Sequence, residues 1–85
     1  MELSQLRTFV AVADARSFTK AARQLFVSHS TVSRAVAALE DELGVCLIER
    51  DNKVFGLTEK GELLYEKAQQ ILSLAEETAE EIMEK

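Results

Sequence analysis

The chain has 85 residues, 47% of them hydrophobic and 29% charged, with a formal net charge of -5 and no proline, which fits a small globular domain and excludes a disordered segment. No apolar run approaches the roughly 18 residues of a membrane span, and Met1-Glu2-Leu3-Ser4 has neither the basic start nor the apolar centre of a secretory signal, so a cytoplasmic location is expected. A single Cys (Cys46) and a single His (His29) exclude an intramolecular disulfide and a cysteine-based zinc site, and leave too little to build a catalytic centre; no enzyme, metal or cofactor is expected.

Leu3, Leu6, Val10 and Ala13 recur at three- and four-residue steps and predict an amphipathic helix over Leu3–Ala15. Ser17 is placed to cap a short second helix, Phe18–Leu25, with Ala21, Ala22 and Leu25 on its inner side. Ser28 caps a third, His29–Leu43, with Val32, Val36, Leu39 and Leu43 inward, closed by Gly44 in the left-handed region. The only glycines are Gly44, Gly56 and Gly61, so the first 43 residues are expected to be mostly helix and glycine to do the punctuating.

After Gly44 the periodicity changes. Val45–Arg50 and Lys53–Leu57 read as two short strands joined at Asp51-Asn52, a small hairpin. Thr58 then caps a long helix without Gly or Pro after Gly61, about 26 residues and about 40 Å long, more than so small a domain can cover. Leu57, Leu64, Ile71 and Thr78 repeat every seven residues, interleaved with Gly61, Ala68, Ala75 and Ile82 and widened by Leu72 and Ala79, a coiled-coil-like seam. Its first two turns are expected to pack on the chain's own core, and a second molecule to cover it beyond about Gln69.

The fold expected is therefore mainly α: a winged helix-turn-helix over residues 1–57, three helices plus a β-hairpin wing, followed by a dimerisation helix over 58–85. Charge follows that division. Residues 58–85 hold eight acids and three bases and so account for the whole net charge, while residues 1–57 balance seven against seven. From Arg16 to Arg34 there are four bases and no acid. A recognition helix needs short polar groups and a cation on its first turns, beside free backbone amides able to hold phosphate, and Ser28-His29-Ser30-Thr31-Val32-Ser33-Arg34 has them. Thr19 and Lys20, opening the second helix, are candidate phosphate ligands; Arg7, Arg16 and Arg23 fit solvated, structural and DNA-contacting roles alike.

Several stretches, in order along nearly the whole chain, carry a family resemblance: Leu3-Ser4-Gln5-Leu6-Arg7-Thr8-Phe9-Val10-Ala11-Val12-Ala13, Ser17-Phe18-Thr19-Lys20-Ala21-Ala22, Val27-Ser28, Ser33-Arg34, Leu39-Glu40-Asp41-Glu42-Leu43-Gly44-Val45, Leu47-Ile48-Glu49-Arg50 and Leu57-Thr58-Glu59-Lys60-Gly61. They resemble the N-terminal module of LysR-type transcriptional regulators. The resemblance implies sequence-specific binding of double-stranded DNA by a homodimer. Helix 29–43 would lie in the major groove, the wing over 47–57 would lie on the backbone or minor groove, and the long helices would pair antiparallel. Groove contacts would then fall on His29, Ser30, Thr31, Ser33 and Arg34, and wing contacts on Arg50 and Lys53; dimerisation would use Leu64, Ala68, Ile71, Leu72, Ala75, Thr78, Ala79 and Ile82. It also implies a C-terminal effector domain lying outside this chain, which would hold any small-molecule effector site, and a higher oligomer for the whole protein. His29-Ser30 stands where the family commonly has Gln-Pro, and Ile48 where it has Phe. The competing reading from another class is a protein-interaction winged helix acting through its acidic helix.

Overall fold

A computed structural model describes residues 1–50 and 53–84. It contains four helices, α1 (Leu3–Ala15), α2 (Phe18–Leu25), α3 (His29–Leu43) and α4 (Glu59–Met83). Three starts are fixed by hydroxyls: Ser17 Oγ accepts from the Lys20 N–H at 3.1 Å, Ser28 Oγ from the Thr31 N–H at 3.1 Å, and Thr58 Oγ1 from the Gly61 N–H at 3.0 Å. Glu2 and Gln5 form a capping box at the start of α1.

The helix ends depart from expectation. Gly44 closes α3 at φ +69°, as its type predicts, but α1 and α2 are closed by Arg16 (φ +54°) and Phe26 (φ +58°). Glycine is thus not the general punctuation of this chain. The bonds that hold Phe26 are those of a tight helix end: its N–H reaches Arg23 O at 3.2 Å and the Val27 N–H reaches Ala22 O at 3.0 Å.

Leu6, Phe9 and Val12 of α1, Ala21 and Ala22 of α2, and Val32, Val36 and Leu39 of α3 form one buried cluster, closed by Leu47, Ile48 and Ala68. Phe9 is its largest member, followed by Leu6, Leu39 and Leu47. Leu43 was expected inward but is 41% exposed, one turn beyond the core, on a groove shared with Leu47, Leu63 and Leu64.

The two expected wing strands reduce to an isolated antiparallel bridge, Ile48 with Leu57, and no strand occurs among the described residues. Among the described residues the ladder continues as Glu49 N–H to Gly56 O and Thr58 N–H to Leu47 O, both 3.0 Å. Three of its other groups are held by side chains. Glu40 Oε2 accepts from the Leu47 N–H at 2.7 Å and the Ile48 N–H at 3.4 Å, and Arg16 Nη2 donates to Phe55 O at 2.9 Å. The proposed turn, Asp51-Asn52, lies outside the described residues.

The long helix also covers more of the domain than its seam suggested. Gly61 and Ala68 of α4 are buried, and Leu64, Tyr65, Ile71 and Leu72 pack against the core. Ala68 is fully enclosed by its own chain and is withdrawn from the seam, and Leu64, Ile71 and Leu72 are shared with the core. Beyond them Ala75 is half-buried, while Thr78, Ala79 and Ile82 are exposed, as is Leu74 on an adjoining face. The Tyr65 hydroxyl donates to Asp14 and accepts from Gln69 Nε2 at 3.2 Å, tying α4 to α1. That bond to carboxylate Asp14, followed by burial and the Asp14 charge, raises the phenol's pKa above its ordinary value despite Gln69.

Candidate nucleic-acid interface

Helices α2 and α3 begin close together. Phe18, first residue of α2, meets His29, first residue of α3, with ring centroids 5.8 Å apart and planes tilted by 46°. The first N–H groups of a helix have no intrahelical acceptor and carry the positive end of its dipole. Two such ends therefore share one corner of the molecule. Thr19 and Lys20 are exposed on one of them, and His29, Ser30 and Thr31 on the other.

Along α3, Val32, Val36 and Leu39 are buried, which turns Ser30, Arg34 and Ala37 outward at helical spacing. All three are exposed. Small residues after Arg34, Ala37 and then Ala38, leave that face low enough for close approach to a flat or grooved surface. Ser33 is half-buried and sits on the margin. The Thr31 hydroxyl is paired with the Ser28 hydroxyl at 2.9 Å, so Thr31 belongs to the cap as well as to the surface.

Arg50 and Lys53 both lie exposed on the wing segment. Arg50 is engaged: Nη2 donates to Glu40 Oε1 at 3.0 Å, and its guanidinium lies over the Phe18 ring, 5.5 Å from the centroid. Burial opposes ionisation of Glu40, but the Leu47 N–H, Arg50 and the Ile48 N–H outweigh it and hold the carboxyl below its ordinary pKa. On the returning limb Arg16 donates to Phe55 O and stacks over the Phe55 ring at 5.7 Å. Arg16 is thereby a structural residue, one of the roles open to it from sequence.

The structure thus brings His29 and Arg50 to Phe18, with Thr19 and Lys20 next along α2, Ser30 and then Arg34 further along α3, and Lys53 on the wing segment. Sequence reasoning missed two supports: Glu40 and Phe18. Glu40 stands seven residues before the amide it caps, and neither aromatic contact has a local spacing signal. The available hint was charge: Glu40 and Arg50 are opposite charges flanking the same turn.

Residues 3–62 match the family described as bacterial regulatory helix-turn-helix protein, lysR family. The chain is 46% identical over 77 residues to a probable cat1 operon transcriptional activator of Acinetobacter lwoffii, covering 91% of this chain and 25% of that protein. To the transcriptional regulator IlvY of Escherichia coli K12 it is 47% identical over 72 residues, 85% of this chain and 24% of that one. It therefore spans about a quarter of the length of these relatives. Among solved structures, the BenM DNA-binding domain in complex with catB site 1 DNA superposes with a TM-score of 0.92 at 39% identity, covering 96% of this chain and 92% of that one. The CbnR DNA-binding domain in complex with DNA gives 0.89 at 41%, covering 95% and 93%. Full-length BenM gives 0.92 at 39%, covering 96% of this chain and 27% of that one. The matched span, the helix order and this likeness agree, and the chain belongs to the lysR family of bacterial regulatory helix-turn-helix proteins.

Proposed function

We propose that this chain is the operator-binding module of a bacterial transcription regulator and binds double-stranded DNA sequence-specifically as a homodimer. The observation that carries it is the corner where α2 and α3 begin, two capped helix starts with exposed Thr19, Lys20, His29, Ser30 and Thr31 beside an outward Arg34. Likeness to two DNA-binding domains solved in complex with DNA supports the same reading. Residues 1–57 are the reading unit and 58–85 the dimerisation helix; the effector domain and its ligand belong to a longer protein, acting in the cytoplasm. No helix among the described residues is long and apolar enough to cross a membrane.

In this reading the start of α3 enters the major groove. Free amides at the starts of α2 and α3, with Thr19, Lys20, Thr31 and Ser33, take phosphates on either side. Ser30 and His29 face base edges, and Arg34 takes a guanine edge in bidentate fashion. Arg50 and Lys53 hold the backbone or minor groove from the wing. Pairing of two chains through Ala75, Thr78, Ala79 and Ile82, with the outer edges of Ile71 and Leu72, presents two such surfaces to successive grooves.

The test is binding of the chain to a duplex chosen from random sequence, and to a scrambled duplex, at one fixed salt concentration. Arg34→Ala should cost about 1–3 kcal/mol on the chosen site and much less on the scrambled one. His29→Ala should relax preference at one neighbouring base pair, and His29→Gln should change that preference without abolishing binding. Equal proportional losses on both duplexes would reduce the two residues to backbone anchors. Affinity should also fall steeply with salt, the slope of log affinity against log salt shrinking by about 0.9 for each phosphate contact removed, as in Lys53→Ala. A flat dependence in the parent chain would refute DNA binding through phosphates.

A further inference from the structure

Phe18 touches both of the elements that would face DNA. Its ring packs at 5.8 Å on His29, the first residue of α3, and lies under the guanidinium of Arg50, from the wing segment, at 5.5 Å. Arg50 is anchored in turn by Glu40 of α3 at 3.0 Å, and the same carboxylate holds the Leu47 and Ile48 amides. A closed circuit results, α3 to wing through Glu40, wing to α2 through Arg50, and α2 back to α3 through His29. Phe18 is the member of it with neither a charge nor a hydrogen-bonding side chain. It is half-buried, with one side against the core and the rest available to these two partners.

His29 is exposed, and an exposed side chain at the first turn of a helix samples several rotamers unless something holds it. An imidazole averaged over rotamers discriminates poorly between base edges. The ring of Phe18 restricts it, through an edge-sensitive aromatic contact. The same ring favours Arg50 through its negative face.

We propose that Phe18 is a positioning residue that sets the DNA preference of this domain, by holding His29 of the recognition helix and Arg50 of the wing against one aromatic ring. The inference rests on the DNA-binding function proposed above and assigns part of its specificity to a residue that does not touch DNA.

The test compares the parent with Phe18→Leu, Phe18→Tyr, His29→Ala and the double variant Phe18→Leu/His29→Ala, on chosen and scrambled duplexes and against single base-pair changes in the chosen site. Thermal melts are run alongside. Leucine keeps apolar volume toward the core but has no ring, so Phe18→Leu should lower the ratio of chosen to scrambled affinity about five- to tenfold, with scrambled binding little changed. The preference it loses should include the base pair affected by His29→Ala. The double variant should be no worse at that base pair than the worse single one, because both remove the same placed imidazole. Phe18→Tyr keeps the ring and should keep the discrimination, which also decides the matter if the leucine variant does not fold. Unchanged discrimination in folded Phe18→Leu, multiplied losses in the double variant, or lost discrimination in folded Phe18→Tyr overturns the proposal. Equal losses on both duplexes also overturn it, reducing Phe18 to a support of the fold. A parent that binds no DNA sinks the proposed function itself. A normal His29→Ala effect with a silent Phe18→Leu sinks only the present inference.

Discussion

Gly61→Ala is the substitution whose outcome the structure constrains most tightly. A methyl group placed on Gly61 would stand 2.1 Å from the Leu47 carbonyl oxygen and 3.0 Å from its carbon, both backbone atoms. Ordinary contact begins near 3.5 Å, so α4 and the segment after α3 must part by about 1.4 Å. Two hydrogen bonds cross that seam, Thr58 N–H to Leu47 O at 3.0 Å and Thr58 Oγ1 to Cys46 O at 2.6 Å. Losing both costs about 2 kcal/mol and the overpacking about 1–3 kcal/mol, against about 1 kcal/mol gained from replacing a helical glycine. The net is a destabilisation of about 2–4 kcal/mol, or a fall in Tm of roughly 10–30 °C for a domain of this size. Thermal melts followed by circular dichroism, at one protein concentration because association shifts Tm, measure it. Gly56→Ala is the control: among the described residues its methyl would meet only the Glu49 side chain, at 3.8 Å, and it should change little. A Tm for Gly61→Ala equal to or above the parent's would refute the close approach and the placement of α4 that depends on it.

The other expectations concern different parts of the chain. Ile82→Glu alters a seam residue that is 80% exposed, so sedimentation should show monomers with an unaltered fold; persistent dimers would move the interface off the outer half of α4. Ile71→Glu is the less clean probe, since Ile71 also packs on the core. Glu40 has its pKa held below the ordinary 4.5, so its contribution to stability is whole above that value and is lost as pH falls through the lower folded one. The stability gap between parent and Glu40→Gln should therefore narrow on acidification through the carboxylate range, and a gap independent of pH in denaturant titrations would contradict the clamp. Phe26 occupies the left-handed region with its side chain 93% exposed, so Phe26→Gly should raise stability by up to about 1 kcal/mol, and a loss in the same titrations would mean that the ring has a partner in solution.

What was legible in the sequence was whatever is decided within one turn of chain. Ser17, Ser28 and Thr58 announce helix starts because a hydroxyl can reach an amide three residues on, and all three do. The inner faces of α1 and α3 follow from spacing alone, and Leu6, Phe9, Val32, Val36 and Leu39 are all buried. The ends of α1 and α2 were hidden because Arg16 and Phe26 are residues that rarely take positive φ; packing of the flanking helices holds them there against their own preference. The extent of the wing strands was hidden for a related reason. Alternation between Val45 and Leu57 predicts a ladder, but a carboxylate and a guanidinium from α3 and the α1–α2 corner compete for its polar groups. As for the candidate site, its surface residues were readable as types that suit DNA, while the ring that gathers His29 and Arg50 was not, because its contacts join residues 11 and 32 positions apart.

The acidic total is consistent with binding a polyanion once the order of layers is considered. Among the helices, α4 packs on α1, which in turn packs on α2 and α3, and it borders α3 at Leu43, 14 residues and about 21 Å along α3 from His29. The thickness of α1, roughly 10 Å with its side chains, or most of the length of α3 therefore lies between the acidic helix and the basic corner. That thickness is comparable to the screening length of about 8–10 Å near physiological salt. The five glutamates from Glu76 onward are further removed, since Glu76 lies eight residues and about 12 Å along α4 from Ala68, the last buried residue. A phosphate at the start of α3 would be governed by the amides there, Lys20 and Arg34, rather than by the sum over the chain. Charge summed over a protein informs on solubility and long-range steering, and binding is decided by charge counted within a screening length of the surface that meets the ligand.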